Sequence, residues 1–257
     1  MAERGQYNSS LTRVAPVFDA ISRQSNWVAR LLELPRHGIA SPRIIAGDLS
    51  PVPRGCHWGE SEKGLLPPVS LLSWLVRNFK GPVQGESDTV GFRRKLADGD
   101  PATIEMARLA LRTAKEDRGW WIFEGPTYPD AYVVTPDLLL VVEGKRTESG
   151  TTTSTTWMSS RHQIWRHIDA AWEIRGLREV AGLLIVEGDS AGEVPAKWVE
   201  AALDAGSPSA LHGSFPHRSA EEVKAISESF RGVTTWQAVC EHFGLDRSTV
   251  LLDKVVQ

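Results

Sequence analysis

The sequence predicts an α/β fold in which helices flank a mixed sheet, and three observations lead to this prediction. Residues 131–134 (AYVV) and 138–142 (LLLVV) are short runs of β-branched, aromatic and aliphatic residues on either side of a turn, as expected of an antiparallel hairpin. A helical pattern precedes them at residues 101–117. A second helical pattern at residues 161–175 leads into residues 180–186, a continuous apolar run typical of a strand covered on both faces.

The chain is long enough to bury a full core, since it has 257 residues of which 41% are hydrophobic. We expect a central domain at residues 101–190. A mostly helical and irregular region at residues 1–100 precedes it, and a helical region at residues 191–257 packs on it. This organisation predicts one core with additions at both ends.

Charge and cysteine content restrict the function and the environment. The 29 Lys and Arg residues against 32 Asp and Glu residues give a net charge of -3, so a polyanion would have to bind a local basic patch. Cys56 and Cys240 lie outside any metal-ligand spacing, which fits a reducing cytosol. The sequence has no signal-peptide core and no apolar run near the roughly 20 residues that span a bilayer. We therefore expect a cytoplasmic protein without membrane contact, and homo-oligomerisation stays open.

The first hundred residues contain two predicted helices and an irregular stretch. Apolar positions at helical spacing predict a helix over residues 11–34 that ends at Pro35. Residues 35–68 are rich in Pro, Gly and Ser, which predicts irregular structure with one short strand near residues 43–46. Residues 69–78 (VSLLSWLVRN) predict the second helix.

The helix predicted at residues 101–117 has clear signals at its start. Asp100 can cap it, and Pro101 suits the first helical position. Residues 120–124 (WWIFE) then predict a strand that leads into the hairpin. A Ser/Thr-rich loop follows the hairpin and precedes the helix at residues 161–175. Three more helices are expected in the C-terminal region, at residues 197–205, 219–230 and 235–243.

The turn of the hairpin sets which residues of its two strands oppose each other. A loop centred on residues 136–137 places Thr135 opposite Leu138, and counting outward places Asp130 opposite Glu143. Directly opposed residues of an antiparallel pair have Cβ atoms about 4.5 to 5.5 Å apart, close enough for two carboxylates to share one cation. A proline in the turn cannot adopt the positive φ of the favoured two-residue turns, so a register shifted by one residue is the alternative.

Alternation along the second strand decides which side chains accompany Glu143. Successive side chains of a strand point to opposite faces, so Lys145 lies on the face of Glu143 and Gly144 on the other. Two carboxylates and an ammonium group are therefore predicted at one end of the hairpin.

This arrangement resembles the PD-(D/E)xK nuclease superfamily, with residues 129–130 (PD) as the first half of its signature and residues 143–145 (EGK) as the second. The second Pro-Asp pair, at residues 136–137, is a weaker candidate. Asp137 lies six positions before Glu143 in one extended segment, roughly 20 Å away at about 3.3 Å per residue, so the two could not bind one ion. The resemblance covers residues 101–189 and implies a restriction-endonuclease-like αβββαβ core.

The resemblance also implies a function and roles for individual residues. The chain would be a nuclease that uses Mg²⁺ or Mn²⁺ to hydrolyse phosphodiester bonds of nucleic acid, with DNA as the favoured substrate. Asp130 and Glu143 would bind the metal, and the carbonyl of Gly144 would be a third oxygen ligand. Lys145 would orient or help deprotonate the attacking water and offset charge in the transition state.

The resemblance implies further polar residues at the site, but the sequence signals for them are less specific. The helix after the second half of the signature often contributes a polar residue, which here is Gln163, with His167 one turn later on the same face. Glu105 is a candidate for an additional acid on the first helix, and Glu124 is its rival. A favourable interaction with the helix dipole explains Glu105 equally well.

The alternative function is a non-catalytic nucleic-acid-binding or assembly module that retains the nuclease fold. The region after the hairpin contains the best local basic face in the sequence, formed by Arg161, Arg166, Arg175 and Arg178. An acidic protein could bind a polyanion through such a basic face.

Overall fold

The computed structural model describes residues 9–34, 37–38, 53–113, 119–148, 153–155 and 157–253. Its strands are β1 (Gly55–Trp58), β2 (Ala131–Val134), β3 (Leu138–Gly144), β4 (Thr153–Thr155), β5 (Met158–His162), β6 (Glu179–Val186) and β7 (Phe230–Thr235). Its α-helices are α1 (Ala15–Ile21), α2 (Trp27–Glu33), α3 (Val69–Asn78), α4 (Asp88–Ala97), α5 (Pro101–Thr113), α6 (Gln163–Ile174), α7 (Ala196–Ala205), α8 (Pro208–Ser214), α9 (Ala220–Ser229), α10 (Trp236–Phe243) and α11 (Arg247–Val250). A π-helix spans Ser10–Val14, and a 3₁₀ turn spans Gly59–Ser61.

Five strands form one mixed sheet in the order β1-β2-β3-β6-β7. The pairs β1/β2 and β2/β3 are antiparallel, whereas β3/β6 and β6/β7 are parallel. Strands β4 and β5 form a separate antiparallel pair. The predicted α/β class, with a mixed sheet flanked by helices, is confirmed.

The hairpin has the predicted register. Ala131 opposes Val142 and Val134 opposes Leu139. The turn is closed by Thr135, whose backbone N–H donates to the carbonyl of Leu138 at 2.9 Å and whose Oγ1 accepts from the N–H of Leu138 at 2.9 Å. Because this hydroxyl replaces part of the backbone ladder, a proline is accommodated without shifting the register.

The strand predicted at residues 120–124 is wrong, and β1 takes its place in the sheet. β1 lies in the stretch predicted to be irregular, and its Gly55 and Trp58 oppose the two ends of β2. Residues 120–124 pack instead on α3, α4 and α5, where Arg93 donates to the carbonyls of Trp120 at 2.9 Å and Ile122 at 2.6 Å. Their backbone acceptors are thus engaged by a side chain and not by a neighbouring strand.

The helices at the N-terminus also depart from the prediction. The helix expected over residues 11–34 is interrupted, since α1 and α2 are separated by a polar stretch that ends at Asn26 with φ of 55°. The helix starting at Pro101 is correct, and Asp100 caps it by accepting from the N–H of Thr103 at 2.8 Å. α4 was not predicted. Residues 114–118 and the strand expected near residues 43–46 lie outside the described residues.

The sheet separates two apolar cores. One face packs on the π-helix, α1, α2 and α10, and the other on α6, α7, α8 and α9. A third cluster joins α3, α4 and α5 to residues 120–123 and to Trp157 and Met158. The sheet takes β1 from residues 1–100 and β7 from residues 191–257, so its cores include all three predicted regions. Within the described ranges, no helix is long and apolar enough to cross a membrane.

Candidate active site

The predicted cluster lies where β3 ends, on the face of the sheet that packs on α6. Leu139 and Val141 of β3 belong to the core under α6, and side chains alternate along a strand. Glu143 and Lys145 therefore continue the same face. Both are nearly inaccessible to solvent, at 3% and 7% exposure. The end of β3 thus places a carboxylate and an ammonium group at the edge of an apolar core.

Asp130 lies directly before β2 and opposite Glu143, as predicted, since the adjacent pair is Ala131 and Val142. Its Oδ2 accepts from the backbone N–H of Gly144 at 2.7 Å. Burial raises the pKa of Asp130 to about 8, and the negative charge of Glu143 adds to this rise. The two signature acids are thus close enough to repel each other.

Glu143 has a partner on each of its carboxylate oxygens. Its Oε1 lies 2.7 Å from Nζ of Lys145, and its Oε2 lies 2.8 Å from Nε2 of His167. Burial by itself raises the pKa of Glu143, but hydrogen bonding and charge from His167 and Lys145 outweigh burial and lower that pKa. The environments of Asp130 and Glu143 therefore push their pKa values apart, a pattern that is common among catalytic carboxylates.

Lys145 joins Glu143 to the start of α6. Its Nζ also donates to Oε1 of Gln163, the first residue of α6, at 3.3 Å. Burial lowers the pKa of Lys145, but the charges of Glu143, Glu148 and Asp130 outweigh it, so the pKa is raised. Lys145 is therefore held in its charged form.

The middle residue of the second signature half has to be small. A Cβ on Gly144 would lie 2.8 Å from both Cζ2 of Trp236 and Cγ2 of Val14. The Trp236 indole N–H also donates to the carbonyl of Lys145 at 3.1 Å. α10 and the π-helix thus support the site from the opposite face of the sheet.

Two neighbours of the cluster were missed by sequence reasoning. Thr127 contacts His167, with its Oγ1 2.7 Å from Nδ1 of the imidazole. Glu62 follows the 3₁₀ turn after β1, and its charge adds to the rise in the pKa of Asp130. Glu62 would have been a candidate had β1 been recognised as the neighbour of β2. No spacing signal in the sequence singles out Thr127.

Comparisons of the chain with protein-family models, with curated proteins and with solved structures give no match.

The structure does not bring Glu105 to the cluster. Glu105 lies on the exposed side of α5 and forms an ion pair with Arg108 at 3.0 Å. α5 packs on α3 and α4, because the strand expected to connect it to the sheet does not form. The rival, Glu124, is buried and forms ion pairs with Arg161 at 3.2 Å and Arg166 at 3.4 Å. Neither acid pairs with Lys145.

The arginines of the basic face predicted after the hairpin form hydrogen bonds mostly with other groups of the protein. Arg161 is buried and donates to Asp169 at 2.9 Å and to the carbonyl of Ser214 at 2.8 Å. Arg175 and Arg178 donate to backbone carbonyls. Arg161 joins β5 to α6 and α8, Arg178 joins the residues after α6 to the turn of the hairpin, and Arg175 contacts its own helix.

The donor set of the cluster suits a hard cation. Within the described ranges, no three His, Cys, Asp or Glu side chains are grouped so that they could hold a metal ion. The predicted set needs only two such residues, Asp130 and Glu143, together with the carbonyl of Gly144. Mg²⁺ is commonly bound by one or two carboxylates and keeps several waters. Burial and the charge of Glu143 raise the pKa of Asp130, and a divalent cation would offset both by favouring the ionised carboxylate.

Proposed function

We propose that this protein is a Mg²⁺-dependent nuclease that hydrolyses phosphodiester bonds of nucleic acid, with DNA as the favoured substrate. One observation carries the proposal: the register of β2 and β3 sets Asp130, a half-buried acid, opposite Glu143, a buried one, and an ammonium group lies 2.7 Å from Glu143. The ordinary packing of a hairpin does not explain two acids side by side here, because charge held away from water costs free energy.

Each group of the cluster has a chemical role under this proposal. Asp130, Glu143 and the carbonyl of Gly144 would hold the cation, which when bound neutralises phosphate charge and activates water. Lys145 donates hydrogen bonds and positive charge to the phosphate or to the attacking water. Because the pKa of Lys145 is raised, stabilisation of charge suits it better than accepting a proton. Gln163 fixes the direction of the ammonium group by accepting from it.

The proposal is tested by incubating plasmid and single-stranded DNA with the protein and Mg²⁺ or Mn²⁺. We expect cleavage by the wild type and its loss in Asp130→Asn and Lys145→Met. The matched control is Asp137→Asn, which changes the other Pro-Asp pair at the exposed turn of the same hairpin. Glu105→Gln, on the surface of α5, is a second control. Cleavage that survives both site substitutions would exclude this cluster as the catalytic centre.

A non-catalytic module is the second candidate, and one observation favours it. Both oxygens of Glu143 already have partners on the protein, so Glu143 is fully satisfied as a structural acid. In that case the protein would bind nucleic acid without cutting it. Retention of labelled DNA in a binding assay, with no products after prolonged incubation in Mg²⁺ or Mn²⁺, would support this candidate over the nuclease.

A further inference from the structure

A buried path of hydrogen bonds connects the two segments that carry the signature acids. Thr127 lies three residues before Asp130, and its Oγ1 lies 2.7 Å from Nδ1 of His167. Nε2 of the same imidazole lies 2.8 Å from Oε2 of Glu143. His167 is completely buried, and Thr127 is 5% exposed. Water therefore does not compete for either contact.

The direction of these hydrogen bonds follows from the chemistry of the groups. An ionised carboxylate can only accept, so Nε2 of His167 must carry the proton that it shares with Glu143. Nδ1 accepts from the hydroxyl of Thr127 when the imidazole is neutral and donates to the hydroxyl oxygen when it is protonated. In both states the contact with Thr127 holds the ring in the orientation in which Nε2 reaches Glu143.

The hydroxyl of Thr127 is not needed to hold its own segment in place. The backbone of Thr127 already exchanges two hydrogen bonds with Leu65, at 2.8 and 2.9 Å. This bridge does not depend on the side chain. The position of the hydroxyl is therefore explained by its contact with the imidazole.

We infer that Thr127 and His167 are positioning residues that fix the carboxylate of Glu143, so that its Oε1 faces Lys145 and a bound cation. The inference rests on the proposed function. Groups that orient a metal ligand through its second oxygen typically change metal affinity or activity by about 10- to 100-fold when they are removed. Thr127 and His167 have this relation to Glu143.

The test compares Thr127→Val, which removes the donor at similar volume, with Thr127→Ser, which keeps it. We expect Thr127→Val to raise the Mn²⁺ concentration for half-saturation, measured by calorimetry, by about 10-fold or more. Thr127→Ser should restore wild-type affinity. Near-ultraviolet circular dichroism checks that each variant is folded, and Thr127→Ala replaces Thr127→Val if the latter does not fold.

A second measurement is independent of metal and of cleavage. Long-range ¹⁵N–¹H spectra report the environment of the histidine ring nitrogens, and the signals of His167 are identified by their loss in His167→Gln. We expect the His167 ring signals of Thr127→Ser to match those of the wild type, and those of Thr127→Val to shift and broaden because the ring has lost its contact at Nδ1.

The outcomes separate this inference from the proposed function. A Thr127→Val variant with wild-type His167 ring signals and wild-type Mn²⁺ affinity would overturn the inference even if the wild type cleaves DNA. If the wild type binds Mn²⁺ but does not cleave DNA, the nuclease proposal fails, and the inference is still decided by the Mn²⁺ affinity and the ring signals. If the wild type does not bind Mn²⁺, the cation-directed role is overturned.

Discussion

Asp130 and Glu143 are the same kind of group in different surroundings. Glu143 is compensated by Lys145 and His167, which lower its pKa. Asp130 has one hydrogen bond, from the backbone of Gly144, and burial raises its pKa to about 8. Keeping Asp130 ionised in the folded protein therefore costs free energy. This cost depends on pH, because protonation removes the charge.

Replacing Asp130 with Asn should change how protein stability depends on pH. The carboxyl has its ordinary pKa of 3.8 in the unfolded chain, and burial raises that pKa to about 8 in the fold. Between these values the folded state holds the extra proton, so the free energy of unfolding falls as pH rises, by at most about 1.4 kcal/mol per pH unit. Asp130→Asn removes this contribution. Urea unfolding in EDTA at about pH 5 and about pH 8 should show a smaller decline in the variant than in the wild type.

The matched control for this prediction is Asp137→Asn, which changes an exposed acid of the same hairpin. Asp137→Asn also removes one acid, so a change in the pH profile that is seen only with Asp130→Asn belongs to the site. Parallel stability profiles for the wild type and Asp130→Asn would show that the Asp130 carboxyl titrates as it does in water.

The hairpin is the element that sequence reasoning placed correctly, down to its register. Two apolar runs, a turn of Thr, Pro and Asp, and the alternation of strand side chains were enough to oppose Asp130 and Glu143. These are local signals, separated by few residues. They also placed Lys145 on the face of Glu143.

The third antiparallel strand could not be found in the same way. β1 and residues 120–124 are both short and rich in aromatic residues, and either could pair with β2. The choice is made by tertiary contacts, since Arg93 of α4 and the aromatic cluster around Phe123 and Trp157 hold residues 120–123 in the third apolar cluster. Glu105 lies away from the cluster for the same reason, because α5 packs on α3 and α4.

Substituting Gly144 tests how closely the elements pack behind the site. A methyl group at this position would meet Trp236 of α10 and Val14 of the π-helix at 2.8 Å. Gly144→Ala should destabilise the protein by about 1 to 3 kcal/mol through overpacking of β3. Chemical denaturation measures the effect, and cleavage assays should show reduced activity as the strand shifts.

Gly91→Ala is the control for this substitution. Gly91 lies inside α4, and a Cβ there would meet nothing within 4 Å. Because alanine is the better helix former, Gly91→Ala should stabilise the protein by about 0.5 to 1 kcal/mol. If Gly144→Ala did not destabilise the protein either, the predicted overpacking against Trp236 and Val14 would be wrong.

At the scale of the whole molecule, the sheet draws on regions far apart in the chain. Strands β2, β3 and β6 lie within residues 101–190, but their neighbours β1 and β7 do not. One core also needs the π-helix, α1, α2 and α10. We therefore expect a fragment of residues 101–190 to remain unfolded, although it contains every residue of the signature.

Far-ultraviolet circular dichroism and the dispersion of amide proton signals would test this prediction. The full chain, purified in the same way, is the reference. A fragment of residues 101–190 that unfolds cooperatively on heating would mean that the strands within it form a stable sheet without β1 and β7.

The arginines around α6 form hydrogen bonds with the protein itself, and this affects how strongly they could bind a polyanion. Arg161, Arg175 and Arg178 donate to groups of the protein itself and so are poorly placed to neutralise phosphates. These three side chains would then displace few condensed counterions when DNA binds, so they would add little to the dependence of affinity on ionic strength. On this part of the surface, recognition would depend on shape, and on a cation if one binds at the end of β3, more than on long-range attraction.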